Sequence, residues 1–462
     1  MFWVASLRSQ SARSADGHGS INQREIQPCG VDAEPFPPGG LAPGKRAYRY
    51  VVPMTIDGAG KVTFLLGAGA SVDAGLPVSV ELTRVITQRL DTGWGRSPVS
   101  QALHVAIGAI VAHDTARGKS AYDGIDVERI FASIQMLARR NDHELTPFVA
   151  AWSGGIDSFG ANGRLPAFWG GEFRKAVHDD RFGTSSLERK FKEGVEALAR
   201  TIDSSEIYRR LEQEMIESLV STLEVSAESV EYLSPLLRTA ESTTVQIATL
   251  NYDNSVELLA KQQGADLDTG IESWLGGYKW SWRPEANVRL LKLHGSLDWR
   301  LRVRREDGER IAVDRVLVGE DDDRKLWGSN MGVVFGQGSK LRADGPFLAM
   351  LIEFDRFLES TEHLVIVGYS MRDEHINAAL RRWVVEHPEG RLSIVDPGFP
   401  DIADAQYDVP FQRDLVEAFC EFDESGSRLG YPRTPTANLV VIRKGARDGL
   451  AEVFERVLPG FE

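Results

Sequence analysis

Val62-Thr63-Phe64-Leu65-Leu66-Gly67-Ala68-Gly69-Ala70-Ser71 is the stretch on which the fold turns. A strand-length apolar run passes directly into small residues. A strand that ends in a glycine-rich turn opens a βα unit, whose backbone can approach a pyrophosphate and whose helix start offers free N–H groups. The same pattern returns three times. Residues 245–250 lead into Asn251-Tyr252-Asp253, residues 288–293 into His294-Gly295-Ser296, and residues 363–367 into Gly368-Tyr369-Ser370. In an open α/β sheet that position is the carboxyl end of a strand, where ligands bind.

Further strand-like runs at 332–335, 392–395 and 439–442 alternate with helical segments at 256–263, 347–360, 376–386 and 449–457. The alternation predicts a Rossmann-like α/β fold, a mostly parallel sheet flanked by helices. Pro77 separates a short helix from Ser71 to Gly75 from a second at 79–90. Residues 91–240 carry few strand signals. Val127, Ile130, Phe131, Ile134, Leu137 and Ala138 recur there at helical spacing. The expected organisation is a disordered leader at 1–50, a first part of the Rossmann-like domain at 51–90, a large helical insertion or cap at 91–240, and the remainder of the domain at 241–462. Met54 is a sensible alternative start. Residues 152–171 read as a long loop, and residues 298–325 as a charged hairpin or exposed loop.

The chain has 462 residues and a formal charge of −14, which argues against a broad grip on nucleic acid. The arginines of residues 300–305 read as a solvated hairpin, and no direct nucleic-acid binding is expected. Cys29 and Cys420 are the two cysteines. They supply neither a disulfide framework nor a C-x-x-C zinc pair, so no metal is expected and a reducing cytoplasm fits. No apolar run approaches the roughly 20 residues that span a bilayer, so no membrane partner is expected.

Each motif residue has a chemical and a plainer reading. Gly67, Ala68, Gly69 and Ser71 can hold a pyrophosphate, or simply turn a strand into a helix. The turn lacks the lysine of a P-loop, and Val72 stands where the G-x-G-x-x-G fingerprint needs its last glycine. Asn251 can hold a ribose hydroxyl or a water at a glycosidic carbon. Asp253 reads as a nucleotide contact or as the cap of the helix that follows. His294 can act as a general base near neutral pH, or sit as a satisfied buried imidazole. Gly368 permits close approach of a ligand, and the Ser370 hydroxyl can meet a phosphate or ribose. Asp373 reads as a helix N-cap and His375 as a surface residue of that helix. Asp396 can hold a ribose, or form the turn before Pro397.

Taken in order, these segments resemble the sirtuin-like family, in its bacterial branch. Gly67 to Ser71 is similar to the family's Gly-Ala-Gly-x-Ser loop, and Gly75-Leu76-Pro77 to its continuation. Thr249 to Asp253 is similar to the Thr-x-Asn-[Tyr/Ile]-Asp element, and Leu293-His294-Gly295 to the catalytic His-Gly element. Gly368-Tyr369-Ser370 with Asp373 resembles the late Gly-Tyr-Ser-x-x-Asp element, and Ile125-Asp126-Val127-Glu128 a further short segment. Val78-Ser79-Val80 replaces the Asp-Phe-Arg of the protein deacylases, and the four-cysteine zinc module of those enzymes is missing.

The resemblance implies NAD as substrate rather than retained cofactor, with Asn251 and His294 catalytic. Gly67, Ala68, Gly69, Ser71, Asp253, Gly368, Ser370 and Asp396 are the implied nucleotide contacts. It further implies an NAD hydrolase of anti-phage defence, with assembly into a homo-oligomer or association with a DNA-translocating ATPase; unrestrained NAD hydrolysis would kill its host, so gating is expected. The alternatives are a non-catalytic NAD or ADP-ribose sensor or scaffold, and a deacylase or ADP-ribosyltransferase acting on protein.

Overall fold

The computed structural model describes residues 62–90, 97–120, 124–140, 205–238, 244–306, 309–319, 331–333, 345–400, 407, 409–422 and 433–458. The expected leader, Met54, Cys29 and the 152–171 loop lie outside them. In chain order the strands are β1 (Val62–Leu66), β2 (Val245–Thr249), β3 (Leu267–Asp268), β4 (Val288–Lys292), β5 (Gly295–Glu306), β6 (Glu309–Val318), β7 (Met331–Val333), β8 (His363–Val367), β9 (Arg391–Val395), β10 (Cys420–Phe422), β11 (Arg433–Pro435) and β12 (Leu439–Ile442). The helices are α1 (Ser79–Leu90), α2 (Pro98–Thr115), α3 (Val127–Ala138), α4 (Ser205–Thr222), α5 (Pro235–Arg238), α6 (Ser255–Gln263), α7 (Phe347–Glu359), α8 (Glu374–Glu386), α9 (Pro410–Ala418) and α10 (Ala446–Arg456).

Seven strands form one parallel sheet in the order β12-β9-β8-β1-β2-β4-β3, the Rossmann-like arrangement the sequence predicts. β1 lies between β2 and β8, which the chain reaches on opposite sides. The crevice at its carboxyl end is therefore a topological switch point. Alternate residues of β1 face opposite layers. Leu65 packs with Phe354, Phe357 and Trp383 of α7 and α8, while Phe64 and Leu66 pack with Leu259 of α6 and Leu450 and Val453 of α10. All are fully or nearly fully buried, each contributing about 1.5–3 kcal/mol of hydrophobic stabilisation.

α1 to α4 build a third core around Ile86, Leu103, Ile130, Phe131, Tyr208 and Met215, which also takes in Leu76, Tyr252 and Leu297. The helical layer thus packs on the loops that follow β1 and β2 and on the start of β5. Asp126 starts α3 by accepting from the Glu128 N–H (2.8 Å) and from Ser79 Oγ at the start of α1 (2.7 Å).

Two elements differ from the sequence reading. The segment after β1 is a 3₁₀ helix at Ala68–Ala74 closed by Gly75, not a helix beginning at Ser71. Ala70 N–H bonds Gly67 O (2.9 Å), which tightens the turn at its first residue. Residues 331–333 form a strand, but β7 pairs antiparallel with β5, and β5 with β6, in a separate small sheet. β5 is the middle strand of that sheet, and β7 takes the edge of β5 that β6 leaves open, satisfying its backbone groups. The arginine-bearing stretch is the β5–β6 hairpin, where exposed Arg302 pairs with Asp314 (2.9 Å).

Candidate functional site

One register row organises the site. Ile442, Val395, Val367, Leu66, Thr249 and Lys292 stand side by side across the sheet, and each is the last residue of its strand. The motif segments begin just past that row, so they meet at one edge although the chain separates them widely.

On one side of the crevice, backbone meets backbone. Gly67 N–H donates to Val367 O and Gly69 N–H to Gly368 O, both at 2.9 Å. Gly368 has φ +59°, and a Cβ added to it would lie 2.3 Å from the Gly69 carbonyl carbon. These glycines let the β1 and β8 loops touch. Two N–H groups expected to face an anion are engaged within the fold. Ala68 is exposed at the tip of the turn, and Ser370 is exposed at the rim. Tyr232 clamps the turn from behind, its hydroxyl donating to Ala70 O (2.5 Å).

On the other side, side chains make the contacts. The Asn251 amide donates to Gly67 O and to Ser71 Oγ, each at 2.9 Å. Both amide hydrogens are then used, and Oδ1 is left as the acceptor. Ser71 is buried and its hydroxyl donates a hydrogen bond to Asp253 Oδ2 (2.9 Å). Ser71 therefore holds Asn251 in place. Asp253 Oδ1 accepts from Ser255 N–H (3.0 Å) and from Ser255 Oγ at the start of α6. Asp253 precedes the N-cap residue Asn254 rather than capping α6 itself, and it ties the first residue of α6 to the glycine turn.

Lys292 was not singled out by the sequence, yet it anchors this side. Its side chain is fully buried, and Nζ donates to Asp253 O (2.7 Å), Asn254 Oδ1 (2.9 Å) and Glu257 Oε1 (2.6 Å). Asn254 Oδ1 also accepts from Ser296 Oγ (2.9 Å). The ammonium thus joins the strand that leads to His294 to the loop that carries Asn251. A cation at the start of α6 opposes the helix dipole, which Glu257 in the first turn offsets. Burial pushes the Glu257 carboxyl above its ordinary value, with Lys292 opposing the rise. The available signal was a lysine ending a strand buried on both faces, where an ammonium must find acceptors.

His294 is buried at the end of β4. Its ring lies 6.3 Å from that of Tyr252 and 5.7 Å from that of His375, and its Nε2 lies 3.9 Å from Asp373 Oδ1. Tyr252 donates its hydroxyl to Glu128 Oε1 (2.7 Å), linking the helical layer to the Asn251 loop. Burial, then the Glu128 charge, pushes that hydroxyl well above the ordinary tyrosine value, so it stays a neutral donor. His375 is half-buried and faces His294 rather than open solvent. Asp396 lies next to Gly368, whose N–H bonds Val395 O (2.8 Å). The Asp396 carboxylate accepts from Gly398 N–H (2.7 Å) in the turn around Pro397, and burial raises its pKa. Among the described residues, no group of three or more His, Cys, Asp or Glu side chains is placed to hold a metal ion. Nor is any helix among them long and apolar enough to cross a membrane.

The crevice lined by the glycine turn, the Asn251 amide and buried His294 lies at the switch point, where open α/β sheets bind ligands. Residues 245–407 match the model of the SIR2-like domain, and the chain carries a sirtuin-like domain. That stretch contains Asn251, His294, Gly368, Asp373 and Asp396. The Gly67–Ser71 turn precedes it and joins it through Asn251, Asp253 and Gly368. No curated protein matches the chain. A SIR2-like domain is compatible with NAD-related chemistry.

Proposed function

We propose that the protein hydrolyses NAD to nicotinamide and ADP-ribose. The observation that supports this best is the fixed orientation of Asn251, whose two amide hydrogens are held by Gly67 O and Ser71 Oγ. Its Oδ1 is thereby available to accept from a ribose hydroxyl or from a water. In this reading the C1′–nitrogen bond breaks with its electron pair leaving on nicotinamide. The water oxygen bonds C1′, and its proton passes to His294. The oxocarbenium-like charge develops in a water-restricted crevice under the helical layer. Gly67, Ala68 and Gly69 would lie along the pyrophosphate, Gly368 and Ser370 would border it, and Asp396 would meet a ribose. Ser71 and Asp253 would act by holding Asn251 and the glycine turn.

NAD consumption would serve anti-phage defence by depletion and would need gating. The bond from Glu128 of α3 to Tyr252 supports a gate, because it couples the helical layer to the Asn251 loop. Assembly into a homo-oligomer, or with a DNA-translocating ATPase, would act through that layer.

The test is chromatographic detection of nicotinamide and ADP-ribose from purified protein and NAD. Asn251→Ala and His294→Ala should each lower release by at least about 100-fold with the folded circular-dichroism spectrum intact. Normal turnover in either variant removes that residue from the chemistry. NAD bound but never cleaved, with candidate partners present, would favour the sensor or scaffold reading.

A further inference from the structure

Asp373 occupies the N-cap position of α8 with extended backbone angles, yet its side chain makes no capping hydrogen bond. Its Oδ1 instead lies 3.9 Å from Nε2 of buried His294. The loop that carries it is locked independently of the histidine. The Tyr369 hydroxyl donates to Asn377 Oδ1 (2.9 Å) and accepts from Asp373 N–H (3.2 Å). Asn377 Nδ2 donates to Met371 O (2.9 Å). Met371, fully buried, holds φ +59°, a left-handed conformation that is strained for a side chain of its kind. An N-cap aspartate without its cap bond, on a loop held in a strained shape, is costly for stability alone. The arrangement is accounted for if the carboxylate is needed where it points.

We propose that Asp373 is a positioning residue for His294, orienting the imidazole and stabilising its protonated form. The inference rests on the reading of His294 as the base. When the attacking water gives its proton to the imidazole, the imidazolium faces a carboxylate that stays ionised. Asp373 itself takes no proton. The rings of His375 of α8 and of Tyr252 also lie beside His294, and the Glu128 carboxylate holds the Tyr252 hydroxyl. Asp373 is the carboxylate that an ion-pair distance ties directly to the ring.

The test is a histidine-selective NMR titration of the full chain without NAD, with the His294 signal assigned from His294→Ala. Asparagine and serine are good N-caps, so Asp373→Asn and Asp373→Ser remove the charge while allowing α8 to start. Either variant that folds serves the test. His294 should titrate lower by about one pH unit in them, and Asp373→Glu should restore most of the difference. The same shift should appear in a His375→Gln background. An unchanged His294 titration overturns the pairing. In turnover, Asp373→Asn should lower kcat at least about tenfold with KM within about threefold, and the acid limb of the pH profile should move down with the titration. A shifted titration with unchanged kcat overturns the role in the reaction. A wild-type protein that releases no nicotinamide removes the hydrolase reading, while the titration still decides the pairing.

Discussion

Between β1 and β8 the crevice is closed by backbone; between β2 and β4 it is held by side chains. In the first region Gly67, Gly69 and Gly368 bring two loops so close that no Cβ fits. In the second, Lys292 gathers Asp253, Asn254 and Glu257 around one buried ammonium. The glycine side is specified by what is missing, so added atoms damage it. The lysine side is specified by a charge and its acceptors, so removal damages it. Asn251 belongs to both, because its amide reaches Gly67 O on one side and Ser71, hence Asp253, on the other.

The largest effect should come from Lys292→Met. It leaves Glu257 without its ammonium partner and Asn254 Oδ1 with Ser296 Oγ as donor, and breaking a buried pair this way costs about 3–5 kcal/mol. Denaturant unfolding should show the loss, and Lys292→Arg should recover little because the cluster is closed. Retention of wild-type stability by Lys292→Met would mean that the lysine side is not held by charge. Next is Gly368→Val, where a left-handed φ and contact with Gly69 together cost about 3 kcal/mol. A Gly368→Val protein with an unchanged melting temperature would show that the two loops separate readily.

The smallest effect is a control at the far end of β8. Buried His363 bonds Ser393 Oγ (2.9 Å), and burial, aided by Arg391, depresses its pKa to about 4. The unfolded chain takes up this proton near pH 6.5, before the native protein does. The stabilisation is therefore complete above about pH 6.5 and is lost as the pH falls toward 4. About 2 kcal/mol of this contribution should disappear between pH 7.5 and 5, and His363→Gln should flatten the slope. Nicotinamide release per folded molecule should stay unchanged in that variant. A change would mean that the crevice responds to stability anywhere along β8.

The strand ends were legible because apolar runs stop abruptly at Gly67, Asn251, His294 and Gly368. That they fall on one register row follows from the parallel pairing that the alternation of strands and helices implies. Lys292 was not legible as a hub, because a lysine at the end of a strand ordinarily reaches solvent. Its burial depends on α6 covering it, which is a property of packing rather than of local sequence. Asp373 was read as a cap because position and residue type fit one. Only the three-dimensional approach of β4 shows that its side chain points elsewhere. The 3₁₀ turn was missed for a related reason: its tightness is imposed by Gly368, about 300 positions further along the chain.

That central place of β1 has a consequence for synthesis. Thr63 shares hydrogen bonds with Gln246 and with Thr361, which lie 183 and 298 residues downstream. At about 5–20 residues per second, the ribosome supplies the first neighbour roughly 10–40 s after β1 is made and the second roughly 15–60 s after. Until β2 is made Phe64, Leu65 and Leu66 have neither strand edge paired, and until β8 is made they keep one edge open. A nascent chain that stalls before residue 363 keeps one of those edges exposed, the condition that invites pairing with another copy. The strand made first among those described is among the last to be completed.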